Sequence, residues 1–94
     1  IVVINTPEQP DEIKKKLDFP GKVYTVDATR IAVELLKKDL PNTPMMGALL
    51  KINPFVGLDV LKEKFRHKFE RKLTEEMLNS NITAIEQAYT EVKG

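Results

Sequence analysis

The feature that most constrains this chain is its opening run, Ile1-Val2-Val3-Ile4-Asn5, in which four β-branched apolar residues follow one another without a polar interruption. β-Branched side chains favour strands, and a strand apolar on both faces is the habit of parallel sheets covered on both sides. Such a strand needs neighbours. One other segment supplies the pattern, Lys22-Val23-Tyr24-Thr25-Val26-Asp27. Between the two, Gln9-Pro10-Asp11-Glu12 opens a short helix through Ile13 and Leu17, with proline and acidic residues suited to a first turn. Phe19-Pro20-Gly21 closes that helix, so the connection predicts a right-handed βαβ unit.

The rest of the chain reads as helix. Asp27 or Thr29 caps a segment carrying Ile31, Ala32, Leu35 and Leu36, which ends at Leu40-Pro41. Thr43 is placed to cap a second segment with Pro44 in its first position, and Met45-Met46-Gly47-Ala48-Leu49-Leu50 then offers no polar face, so this helix is expected to be covered all round. A third carries Leu58, Leu61, Phe65, Phe69 and the stem of Lys72 on one side. The last is capped by Thr74, with Glu75 and Glu76 in its first turn and a stripe of Leu78, Ile82, Ile85, Tyr89 and Val92. The expected class is α/β, a partial parallel sheet in a βαβ unit followed by three further helices. Two parallel strands leave two open edges and little surface for the helices, which implies earlier strands removed from the domain or a sheet completed by another polypeptide. An isolated chain of this kind is expected to be an unstable monomer.

Composition narrows the function. The 94 residues suit one small domain, without linker or repeat, and the net charge of +1 supplies no field that would draw nucleic acid or acidic membranes. With no cysteine and one histidine, the chain has neither a thiolate for a cluster or zinc nor a histidine-rich metal site. No apolar run approaches the roughly 20 residues of a membrane helix and no signal-peptide pattern opens the chain, so the expected location is cytoplasmic, without membrane or nucleic-acid partner.

Two stretches carry a resemblance: Val23-Tyr24-Thr25-Val26-Asp27-Ala28-Thr29-Arg30-Ile31-Ala32, and after it Pro41-Asn42-Thr43-Pro44-Met45-Met46-Gly47-Ala48-Leu49. In order and spacing they are similar to the gamma subunit of 2-oxoacid:ferredoxin oxidoreductases, the pyruvate synthase type. The resemblance extends over nearly the whole chain. It departs at the front, because gamma subunits begin with a glycine-rich strand-turn-helix that is missing here. The resemblance implies a single incomplete α/β domain over residues 1–94, the carboxyl-terminal half of a Rossmann-like gamma domain. It further implies a noncatalytic piece of an enzyme that oxidatively decarboxylates pyruvate or a related 2-oxoacid, forms acyl-coenzyme A and reduces ferredoxin. Thiamine diphosphate, iron-sulfur clusters and coenzyme A then belong to the complex of alpha, beta and delta partner subunits, with none bound by this chain alone. The alternative is a self-contained α/β module that binds a protein or an anion.

Candidate residues follow from general rules. Open α/β sheets bind ligands beyond the carboxyl ends of their strands, which singles out Asn5, Thr6, Asp27 and Thr29 as cofactor-side residues, although Asp27 serves equally as a helix cap. Asn42 and Thr43 begin a helix whose free N–H groups suit a partner subunit or an anion, or an ordinary cap. Met45, Met46 and Gly47 suit either a close subunit contact or the chain's own core. The basic run Lys62, Lys64, Arg66, His67, Lys68, Arg71 and Lys72 suits an anionic partner, yet Glu63 and Glu70 lie within one turn and a solvated face accounts for it. His67 lies opposite Phe65 without a second ligand or nucleophile, so no catalytic residue is assigned.

Overall fold

A computed structural model describes residues 1–18, 20–54 and 56–94. Its elements run β1 (Val2–Asn5), α1 (Pro10–Leu17), β2 (Val23–Val26), α2 (Ala28–Leu36), α3 (Asn42–Ile52), α4 (Leu58–Phe69) and α5 (Glu75–Glu91). The two strands are parallel, with Val2 opposite Val23 and Asn5 opposite Val26, and α1 crosses between them. Pro10 occupies the first turn of α1 with Asp11 and Glu12, and Lys14, Lys15 and Lys16 fill its last turn, so both ends of the helix dipole are complemented. The chain leaves α1 through Asp18 in the left-handed region. The expected stop at Phe19-Pro20-Gly21 begins at Phe19, which lies outside the described residues.

Four helices follow β2, one for each of the four segments read as helix. Residues 27 to 52 hold two of them. The first ends at Leu36, where Lys37 turns left-handed at φ 59°, and not at Leu40-Pro41 as expected. Pro41 then caps α3, which places Asn42 and Thr43 inside its first turn; Thr43 is therefore not the cap, and Pro44 is not in the first position. Proline is compatible with each of these places, because the first turn leaves its N–H groups without intrahelical partners. At α4, the helix ends with Phe69, and it is Leu73, not the exposed Lys72, that packs against the core.

Two apolar clusters hold the helices together. One joins Val26 of β2, Ala28 and Ile31 of α2, Ala48 of α3, and Ala84 and Ala88 of α5, with Leu35, Leu36, Met45 and Val92 against it. The other joins Phe65 of α4 to Leu78, Ile82 and Ile85 of α5, with Met46, Leu58, Leu61, Phe69 and Leu73 around it. Helix α5 belongs to both because its small and large apolar residues lie on different sides: alanines where α2 and α3 come close, Leu78 and the isoleucines where α4 stands further off. Thr74 caps it by accepting from the Met77 N–H at 3.1 Å. Thr74→Ala is expected to lower stability by about 1 kcal/mol, read from urea midpoints at unchanged slope.

Three expectations are corrected. The opening strand is half-buried at Val2, Val3 and Ile4, with Ile1 exposed, because only β2 flanks it among the described residues. Helix α3 is not covered all round, since Leu49 is 47% exposed on the side away from its neighbours. Nor are both sheet edges open: Lys93 exchanges two backbone hydrogen bonds of 2.8 Å with Thr25, an antiparallel bridge on the outer side of β2. A single residue after a long helix carries no strand pattern, so this pairing was invisible to periodicity.

Candidate functional site

The carboxyl ends of β1 and β2 lie side by side, and the first turn of α2 rises directly from the second. Asn5 reaches across to that turn: its Nδ2 donates to Thr29 Oγ1 at 2.7 Å, and its Oδ1 accepts from the Thr29 N–H at 3.1 Å. Asp27 Oδ1 accepts from the Arg30 N–H at 3.3 Å and is the cap of α2. Two free N–H groups of the helix are thereby satisfied by side chains from within the chain. Asn5, Asp27 and Thr29 meet as expected, but they bond one another and the helix. Thr6 turns the other way, its Oγ1 accepting from the Glu8 N–H at 3.2 Å.

Arg30 organises the charges beside them. Its guanidinium lies 3.4 Å from Asp27 and 3.1 Å from Glu34 on its own helix, and 2.6 Å from Glu91 at the end of α5. Partial desolvation acts to lower its pKa, but Glu91, Glu34 and Asp27 outweigh this and shift it upward, so the group stays cationic. The pair with Glu91 holds the end of α5 at the sheet, which places Lys93 for its bridge to Thr25. With Thr6, Glu8 and Asp27, these groups line a cleft of about 150 Å³. That is below the ~300 Å³ at which small-molecule sites begin. Three carboxylates, those of Glu8, Asp27 and Glu91, also line it, an electrostatic mismatch for a diphosphate. This cleft, where Arg30 and Lys93 stand among those carboxylates, therefore does not fit thiamine diphosphate or coenzyme A as a resident group, and the sequence has no cysteine for a cluster.

Arg30, Glu91 and Lys93 were missed from the sequence. The spacing of Arg30 and Glu34 is legible as a helical pair, whereas Glu91 is 61 residues away from Arg30 and no local signal connects them. Because Arg30 and Glu91 are each 39% exposed at the side chain, their contact is screened. Arg30→Ala is expected to cost about 1 kcal/mol, and a double-mutant cycle with Glu91→Ala to give a coupling of about 0.5 kcal/mol. Thermal melts of the four proteins measure both; zero coupling would remove Arg30 as the tie between α2 and α5.

The expected interface residues separate. Asn42 is exposed and Thr43 half-buried at the start of α3, while Met45 and Met46 each reach toward a different internal cluster. Gly47 is buried within the chain: a Cβ built there would lie 2.0 Å from the Ile85 carbonyl oxygen, so its missing side chain admits α5 of the same chain. A groove of about 380 Å³ opens where the end of α2 meets α4 and α5, lined by Leu40, Phe69 and Met77 among others. On α4, Arg66 donates to Glu75 at 2.8 Å and to Asn79 at 2.9 Å, and Lys62 lies 3.5 Å from Glu86, so two members of the basic run pair with α5. His67 is exposed, 3.9 Å from Glu70. Among the described residues, no group of three His, Cys, Asp or Glu side chains is placed to hold a metal, and no helix is long and apolar enough to cross a membrane.

Two parallel strands joined through a helix, with the remaining helices packed behind them, define an α/β protein. The chain belongs to the pyruvate ferredoxin/flavodoxin oxidoreductase family, whose model matches residues 1–91. It is 37% identical over 93 residues to pyruvate synthase subunit PorC of Thermotoga maritima, covering 99% of this chain and 48% of that protein. It is also 37% identical over 90 residues to the pyruvate/ketoisovalerate oxidoreductases common subunit gamma of Thermococcus kodakarensis, covering 95% of this chain and 46% of that one. The crystal structure of the Thermotoga maritima pyruvate oxidoreductase subunit PORC superposes with a TM-score of 0.86 at 34% identity, over 98% of this chain and 51% of that chain. The chain thus spans about half the length of the curated relatives it matches.

Proposed function

We propose that these residues are a noncatalytic part of the gamma-type subunit of a pyruvate or related 2-oxoacid:ferredoxin oxidoreductase. The observation that carries this is the fit of 98% of the chain to a PORC subunit at a TM-score of 0.86, which embraces both the strand ends and the helices behind them. Residues 1–94 act as a single incomplete α/β domain, the carboxyl-terminal part of a gamma domain. The whole enzyme decarboxylates the 2-oxoacid, transfers the acyl group to coenzyme A and delivers two electrons to ferredoxin. Thiamine diphosphate, the clusters and coenzyme A are held by alpha, beta and delta partners in the cytoplasm. That division agrees with a chain that has no cysteine and a small, carboxylate-lined cleft. In the assembly, Asn5, Asp27 and Thr29 shape the sheet end turned toward those partners by fixing the start of α2, with Thr6 beside them in the turn after β1, while Asn42 and Thr43 lie toward a neighbouring subunit.

Native mass spectrometry of the protein from its source cell, with denaturing mass analysis of every chain that travels with it, tests the proposal. The expected result is co-migration with cysteine-rich and thiamine-binding subunits. A species of 10.7 kDa travelling alone would overturn it.

A further inference from the structure

Single exposed apolar residues are ordinary on a small protein, but two that meet over one groove are not. Leu40, 51% exposed, and Met77, 41% exposed, both line the groove where the end of α2 meets α4 and α5. The half-buried Leu36, Phe69 and Leu73 and the buried Phe65 continue its apolar lining. The groove is open because α2 stops at Leu36, and Lys37-Lys38-Asp39-Leu40 then runs to Pro41 without a helical turn. Its charges are mainly positive. Lys37 and Lys38 line it and Lys68 stands 5.6 Å from the Phe69 ring, against one lining carboxylate, that of Glu76. Lys37 donates to the Glu34 carbonyl at 2.9 Å, and among the described residues neither Lys38 nor Lys68 forms an ion pair.

We propose that this groove docks an acidic amphipathic helix of a partner protein. Apolar side chains three or four residues apart on that helix enter between Leu40 and Met77, and its Asp or Glu residues meet Lys37, Lys38 and Lys68. Methionine at the mouth suits such a contact, because its unbranched side chain adapts to the surface it meets. A small molecule is a poorer occupant: small-molecule sites bury roughly 70–90% of their ligand, whereas here the apolar residues at the mouth are themselves exposed. A second copy of this chain docked groove to groove about a two-fold axis would set Lys37 and Lys38 against their equals. The inference rests on the shape and charge of the groove, independently of the reaction.

The test is photo-crosslinking in the full-length subunit, expressed in its source cell with benzoylphenylalanine at position 40 or 77, or at the control position 60, where Val60 is 42% exposed on α4. The expected result is one crosslinked segment of another polypeptide, shared by both groove positions and absent from the control. Its sequence should carry apolar residues three or four apart with Asp or Glu beside them. Lys37→Glu combined with Lys38→Glu is expected to lower the yield by about tenfold or more, and Lys64→Glu, outside the groove, to leave it unchanged. Met77→Glu, probed from position 40, should lower it too; a carboxylate in the first turn of α5 suits the helix dipole, so the fold is kept. If a variant does not fold, the sequence of the segment captured by the unaltered lysines decides. Capture of another part of the same subunit, of a second copy or of a lipid would overturn the inference, as would no capture or a yield indifferent to the lysine charges. A captured acidic helix without thiamine-binding partners would defeat the proposed function and leave the docking groove standing.

Discussion

Gly47→Ala is expected to cost about 3 kcal/mol, enough to bring a domain of this size close to unfolding at room temperature. Alanine normally strengthens a helix by about 1 kcal/mol over glycine, so the local effect opposes the outcome. Sterics decide it. The added Cβ would stand 2.0 Å from the Ile85 carbonyl oxygen, 2.9 Å from its carbon and 3.1 Å from the Tyr89 nitrogen, all backbone atoms with no rotamer by which to withdraw. Helices α3 and α5 would have to part along their length, opening gaps at Ala48, Ala84 and Ala88 where contact is closest. Urea titration against Gly57→Ala is the measurement, because a Cβ at Gly57 meets nothing within 4 Å and the change should cost no more than the roughly 1 kcal/mol by which alanine is a poorer helix cap. Equal stability of the two variants would show that α3 and α5 are not packed backbone to backbone.

Ile31→Ala is expected to cost about 4 kcal/mol, in the upper half of the range for a buried isoleucine. Ile31 is 0% exposed, and its surroundings explain the size of the effect. Ala28, Ala48, Ala84 and Ala88 share its cluster with Val26, and alanines have no side-chain torsions with which to fill a void. The cavity would therefore stay open. Ile31→Val keeps most of the volume and should lose about 1 kcal/mol, so the ratio of the two losses tests the rigidity of the cluster. A loss below about 2 kcal/mol for alanine would mean that α2 settles onto the sheet, which cap formation at Asp27 and the Asn5–Thr29 clamp should prevent.

The candidate site was legible in part. The rule for strand ends brought Asn5, Asp27 and Thr29 to one place, because that rule depends on topology and a βαβ unit can be read from two β-branched runs with a helix between them. Their use was not legible: whether a carboxylamide or a carboxylate meets a ligand or a helix N-terminus depends on which donor is nearest, and here the donors are the Thr29 and Arg30 N–H groups. Gly47 shows the same division. A glycine among Met45, Met46 and Ala48 announces a close approach, but only the packed helices identify α5 as the partner.

Local order in the chain settled the elements, since the signals are local: β-branched runs for the strands, Pro10, Asp27 and Thr74 at helix starts, and apolar residues three and four apart along α5. Everything joining distant residues came from the fold. The pairing of Lys93 with Thr25, the tie from Arg30 to Glu91, the approach of α5 to Gly47 and the exposure of Leu49 arise between segments far apart in sequence. A composition or a period says how much of each segment must be covered. Which segment does the covering depends on the path of the whole chain, because backbone hydrogen bonds and close packing act over a few ångströms in space irrespective of separation along the sequence.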